Sequence, residues 1–121
     1  MIRVMGAGAF GTALAVSLAR SGAVALWARD PEHAEEMKKL RENRRRLPGV
    51  ELPGNVVILS VDETAGKPDA ILLAVPMQKL RGFLEDHRNA LAGASLVACC
   101  KGVELTTGRR PTQVIADIMP G

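Results

Sequence analysis

Six residues near the amino terminus, Gly6-Ala7-Gly8-Ala9-Phe10-Gly11, constrain this chain more than any other segment. They follow the short apolar run Ile2 to Met5 and open the Ala- and Leu-rich stretch Phe10 to Arg20, where Leu14 and Leu18 share a helical spacing. A G-x-G-x-x-G pattern is weak alone and much more specific between a strand and a helix. In that setting Gly6 permits the tight turn out of the strand. Gly8 leaves the backbone open to a pyrophosphate, and Gly11 lets helix and strand pack closely. The helix start adds unpaired N–H groups and the positive end of its dipole.

The rest of the chain repeats the strand-then-helix theme. Ser21-Gly22 stops the first helix, and Ala23 to Trp27 reads as a second buried strand. Asp30 caps a polar helix that has Pro31 in its first turn and runs to about Arg41. Asn43 to Asn55 reads as a loop punctuated by Pro48-Gly49 and Pro53-Gly54. Val56 to Leu59 is a third strand, and Ser60 to Lys67 a short connection with room for one or two helical turns. Ala70 to Val75 is a fourth strand, and Pro76 opens a helix to about Leu91. Ser95 to Ala98 is a fifth strand, and Pro111 to Met119 a last helix. The strands are continuous apolar runs, as expected when helices cover both faces. Right-handed crossovers then predict an α/β fold: a doubly wound parallel Rossmann sheet of order 3-2-1-4-5. The whole of 1–121 forms one dinucleotide-binding domain, and its end after a helix suggests a truncated one.

Composition closes off other classes. With 47% hydrophobic residues the chain can bury a core without metal or disulfide. Cys99 and Cys100 are adjacent, read as two small buried or half-buried thiols, and fit a reducing, cytoplasmic setting. They form no zinc set, so no metal site is expected. The longest apolar run, Ala70 to Val75, is too short for membrane insertion, and no targeting segment is visible. The net charge of +3 comes with two Phe, one Trp and no Tyr, too few stacking platforms for nucleic acid. A small anionic ligand suits that charge better.

The second strand ends Leu26-Trp27-Ala28-Arg29-Asp30. An acid commonly accepts the ribose 2′-hydroxyl near this point, whereas Arg29 can grip a 2′-phosphate. That favours NADP, or tolerance of NADP and NAD. An FAD site uses the same glycine turn, but nothing else here points to one. A stand-alone nucleotide-sensing domain is the main alternative; it would ordinarily keep the acid that Arg29 replaces.

Five segments together resemble one family. Gly6 to Ala15, Leu26 to Asp30, the loop with Asn43 and Leu47-Pro48-Gly49-Val50-Glu51-Leu52-Pro53, Ala74-Val75-Pro76, and Lys101-Gly102-Val103-Glu104 with Thr107 match it in order and spacing. The chain thereby resembles the N-terminal domain of bacterial NAD(P)-dependent glycerol-3-phosphate dehydrogenase. The resemblance implies interconversion of sn-glycerol 3-phosphate and dihydroxyacetone phosphate by hydride transfer, serving phospholipid synthesis. It places Gly6, Gly8, Ala9, Phe10, Gly11, Arg29, Arg46, Pro76 and Lys101 against the cofactor, with Lys101 also reaching the substrate. The family often carries an aromatic residue where Arg46 stands. The resemblance also implies a helical C-terminal domain, absent here, that holds a general-base lysine and an Arg-Asn substrate grip. No catalytic residue is therefore expected within these residues, and the fragment is expected to bind dinucleotide with little turnover. A homodimer is compatible with the family.

Lys101 has support of its own, because it follows the fifth strand at the carboxyl edge where open α/β sheets bind ligands. Arg44-Arg45-Arg46 reads either as a solvated basic triplet or as a loop folded toward the cofactor phosphates. His33 is expected on an exposed helix face. His87 lacks the partners of a catalytic histidine, and Glu85-Asp86 point in different directions on their helix.

Overall fold

The computed structural model describes residues 1–60, 63 and 68–119. Five parallel strands form the main sheet: β1 (Ile2–Met5), β2 (Val24–Trp27), β5 (Val56–Leu59), β6 (Ala70–Leu73) and β7 (Ser95–Ala98). Their spatial order is β5-β2-β1-β6-β7. Counting only these strands along the chain, that is 3-2-1-4-5, the expected doubly wound order. The reversal lies between β1 and β6, paired in register from Ile2 opposite Ala70 to Met5 opposite Leu73.

Alternate side chains of the strands feed two cores. Val4, Val24, Leu26, Val56 and Ile58 face α1 (Ala9–Leu18) and α2 (Pro31–Leu40) and pack with Ala15, Ala34 and Met37. Met5, Trp27, Ile71 and Leu73 face the other way, toward α3 (Met77–Asp86), α4 (Arg88–Leu91) and α5 (Pro111–Ile118). They meet Leu80, Leu84, Leu91 and Val114 there. Burial on both faces is why these short strands hold apolar residues almost throughout. No helix among the described residues is long and apolar enough to cross a membrane.

Helix boundaries follow local chemistry. The Asp30 carboxylate accepts from the Glu32 N–H at 2.9 Å and caps α2, with Pro31 in its first turn. That hydrogen bond, with help from Arg45, holds the Asp30 carboxyl below its ordinary range. At the far end of α1 the Asn55 amide donates to the carbonyls of Ala19 and Gly22, at 2.6 and 3.1 Å. Helix α1 ends at Leu18, two residues before the expected Arg20.

Four expectations change. The segment read as a loop over Asn43 to Asn55 contains most of an antiparallel hairpin, β3 (Glu42–Asn43) and β4 (Leu47–Glu51), with a bulge between Glu42 and Asn43. Pro48 and Gly49 lie inside β4, which is exposed enough to tolerate them. The helix expected from Pro76 to Leu91 is two helices broken at His87, and β6 stops at Leu73. His33 is buried, not exposed. Most of the Ser60 to Lys67 connection lies outside the described residues.

Candidate functional site

The glycine turn bends at the carboxyl edge of β1. Gly6 has φ of +125°, a conformation L side chains rarely adopt, and a Cβ there would lie 2.7 Å from the Ala74 carbonyl oxygen. A Cβ on Gly11 would collide with the Gly6 carbonyl. The protein's own packing demands both glycines. Gly8 is different. Its φ is −76°, and a Cβ would meet only the Arg46 guanidinium, at 3.8 Å. Nothing inside the protein requires a glycine there, so the vacancy faces outward.

Gly8 is the N-cap of α1, no side chain caps it, and the first turn carries no acid. The first N–H groups of the helix are therefore left for an external acceptor. Around them opens a cleft of about 1180 Å³. It brings together Gly6, Gly8, Ala9, Phe10, Gly11, Arg29, Arg46, Pro76 and Lys101, every residue the sequence marked out. Pro76 is the N-cap of α3, and Phe10 is half exposed at the cleft mouth.

Charge is distributed unevenly along this cleft. In the basic triplet, Arg44 approaches Glu42 at 3.6 Å, and Arg45 bridges Asp30 and Glu36 at 3.2 and 3.4 Å. The guanidinium of Arg46 forms no ion pair or hydrogen bond with the described residues, and neither does Arg29 nor the Lys101 ammonium. Arg29 does not pair with its neighbours Asp30 and Glu32. Cations held at a cleft without partners suit an anionic ligand.

A second anchor stands behind the turn. Asn43 is fully buried. Its Nδ2 donates to the Ala7 carbonyl at 2.9 Å and to Thr12 Oγ1 at 2.7 Å. Its Oδ1 accepts from the Arg46 N–H at 3.2 Å and meets His33 Nε2 at 2.8 Å. Hairpin, turn, α1 and α2 thus converge on one amide. Asn43 entered the sequence reading only as part of a resembling loop. Burial of His33 was foreshadowed by its place beside Ala34 and four residues before Met37, on one helix face.

The Lys101 loop is anchored by ions. Arg81 on α3 forks onto Glu104, with Nε to Oε2 at 2.9 Å and Nη2 to Oε1 at 3.0 Å. Thr107 donates its hydroxyl to the same carboxylate at 2.6 Å. These bonds, the arginine's first, hold the Glu104 carboxyl below its ordinary 4.5. Arg81 also reaches Asp117 of α5 at 3.1 Å, and Arg109 reaches it at 2.7 Å. The Gln78 amide donates to the Val103 carbonyl and accepts from the Leu105 N–H. Glu104 and Thr107 therefore shape the loop on which Lys101 sits. Arg81 and Gln78 were missed in the sequence, where they lie 23 and 27 residues from their partners.

Two further groups face the cleft. Trp27 meets Phe83 and His87 edge-on, with ring centroids 5.7 and 5.2 Å apart. All three rings line the cleft, so His87 has a place there that its sequence neighbours did not disclose. Cys99 and Cys100 are half-buried free thiols at the end of β7. Burial raises both, and with the neighbouring thiol it pushes Cys100 up to about 11.

Comparison with known proteins gives the same picture at the level of family. The model of the NAD-dependent glycerol-3-phosphate dehydrogenase N-terminus matches residues 1–121. A glycerol-3-phosphate dehydrogenase (NAD(P)+) of Ruegeria sp. strain TM1040 is 55% identical over 119 residues, 98% of this chain and 37% of the relative. Its namesake in Roseobacter denitrificans is 49% identical over the same share. The crystal structure of glycerol-3-phosphate dehydrogenase from Coxiella burnetii superposes with a TM-score of 0.87 at 27% identity, covering 99% of this chain and 38% of that one. The chain spans little more than a third of the length of the curated relatives it matches.

Proposed function

The chain belongs to the family of NAD-dependent glycerol-3-phosphate dehydrogenase N-terminal domains, and from that premise we propose that its cleft seats NADP or NAD for the oxidation of glycerol 3-phosphate or the reverse reduction of dihydroxyacetone phosphate. One observation carries the reading. Gly8 presents an open face at an uncapped helix start beside Arg46, in a cleft that Arg29 and Lys101 also line, and no described residue neutralises these three cations.

Each residue then has a task. Gly6 and Gly11 shape the turn, and Gly8 with Ala9 and Phe10 offers backbone N–H groups to the pyrophosphate. Arg29, at the end of β2, grips a 2′-phosphate, and Arg46 adds positive charge above Gly8. Pro76 walls the middle of the site. Lys101 reaches toward the nicotinamide end and binds the substrate phosphate or its reacting oxygen. When bound, the nicotinamide ring supplies or accepts the hydride. The substrate grip and general base belong to the further length that the relatives possess, so this segment alone binds without measurable turnover. Two reduced thiols support a cytoplasmic setting, and the reaction would supply the backbone of phospholipids.

The test is a titration with NADPH and NADH followed through Trp27, the sole tryptophan, which lines the cleft. Both should saturate. Arg29→Ala should weaken NADPH by about ten-fold or more and leave NADH nearly unchanged, the size of a lost charge-assisted contact. Absence of saturable binding by either dinucleotide overturns the proposal.

A further inference from the structure

Buried asparagines are uncommon, and Asn43 has no exposed atom to explain it by solubility. Its amide has one permitted orientation. The Ala7 carbonyl can only accept and the Arg46 N–H can only donate, so Nδ2 must face the first and Oδ1 the second. His33 therefore presents Nε2 as a donor to Oδ1. Donors and acceptor are all used.

The bond to Ala7 has a geometric consequence. The Ala7 carbonyl and the Gly8 N–H belong to one planar trans peptide, so they point in opposite directions. Holding the carbonyl toward Asn43 turns the Gly8 N–H away from it. The same side chain accepts from the backbone of Arg46, whose guanidinium lies 3.8 Å from the vacant Cβ position of Gly8. One amide thus aims a backbone donor and a cation at the same place.

We propose that Asn43 is a positioning residue for the phosphate-binding part of the cleft, and that His33 locks its amide in the working orientation. The proposal rests on the reading that the cleft takes a dinucleotide. It assigns Asn43 to the pyrophosphate, common to both dinucleotides, and not to the 2′-phosphate that distinguishes them.

Asn43→Asp, measured in the complete protein that carries this chain, tests it. The near-isosteric carboxylate keeps an acceptor for Arg46 and His33 but sets a second acceptor against the Ala7 carbonyl. NADPH and NADH should both weaken by about ten-fold or more, the size of one charge-assisted hydrogen bond. The ratio between them should hold, and so should the affinity for adenosine, which has no phosphate. A purely structural role would weaken all three ligands together. His33→Ala should loosen both dinucleotides several-fold, with His33→Gln, which retains a donor, restoring them; this pair decides the matter if the aspartate variant does not fold. Unchanged dinucleotide affinity in folded Asn43→Asp or in His33→Ala overturns the proposal, as does equal loss of adenosine. If the unaltered protein binds no dinucleotide, the functional reading itself has failed.

Discussion

The two walls of the cleft are fastened by opposite means. Behind the glycine turn the fastening is a buried hydrogen-bond network: Asn43, Thr12 and His33 are all buried, and their bonds run to one another and to backbone with no carboxylate taking part. Under the Lys101 loop it is ionic: the carboxylate of Glu104 is buried, and its partner Arg81 continues to Asp117 and Arg109, which are part-exposed. A buried hydrogen-bond network is costly to break and little screened by salt. Charge pairs that reach the surface, like those of Asp117, are weakened by ionic strength, and acid weakens every pair that depends on a carboxylate. One wall is therefore rigid by construction, while the other can be tuned by conditions.

The strongest challenge to that contrast is Gly11→Ala on the wall behind the glycine turn. Its methyl would collide with the Gly6 carbonyl, and overpacking against backbone costs about 1–3 kcal/mol or more. Thermal unfolding should show a large fall in Tm or no folded protein; a Tm within a degree or two of the unaltered chain would mean that the turn does not depend on this glycine. Gly8→Ala sharpens the contrast, because the same wall has room for that methyl. Tm should stay near its original value while dinucleotide affinity falls by about ten-fold or more, comparable to one charge-assisted contact. Equal losses of stability in the two variants would show that the turn is not divided as described.

A smaller effect is expected from Glu104→Gln on the ionic wall. Glu104 titrates below its ordinary 4.5 when folded, so its contribution is present above the unfolded pKa and disappears as pH falls through the folded one. The Tm difference between Glu104→Gln and the original should be visible at neutral pH. It should shrink below about pH 4.5 and also under high salt. A difference that persists at pH 2.5 would mean the loop is held by something other than charge. The smallest effect concerns Cys99 and Cys100. With burial raising both thiols, iodoacetamide at pH 7.5 should label them much more slowly than a free thiol, accelerating toward pH 10. Fast labelling at pH 7.5 would place that end of β7 in open solvent.

Much of the frame was legible because it is written locally. The strand at Val24–Trp27 is apolar throughout, Asp30-Pro31 announces a helix start, and three glycines in fixed spacing mark the turn. The hairpin was not legible. No alternation of apolar residues builds β3 and β4; one asparagine and Arg41 hold them in place, the latter donating to the carbonyls of Pro53 and Val56. His33 looked exposed because its helix is polar, and only the face shared with Ala34 and Met37 shows otherwise. Arg81 and Glu104 carry no common pattern, since the crossover and not the sequence spacing makes them neighbours. Nine of the residues that line the cleft could be named in advance, whereas those that hold them steady could not.

The local pairing of Arg44 and Arg45 bears on how an anion would find this protein. The formal charge of +3 spreads over the whole chain, yet the cleft lining sets Arg29, Arg46, Lys79 and Lys101 against the single carboxylate of Asp86. Such a concave cluster concentrates field lines and widens the angle from which a diffusing phosphate ester is captured. Encounter, more than residence, is then the step that background electrolyte would slow.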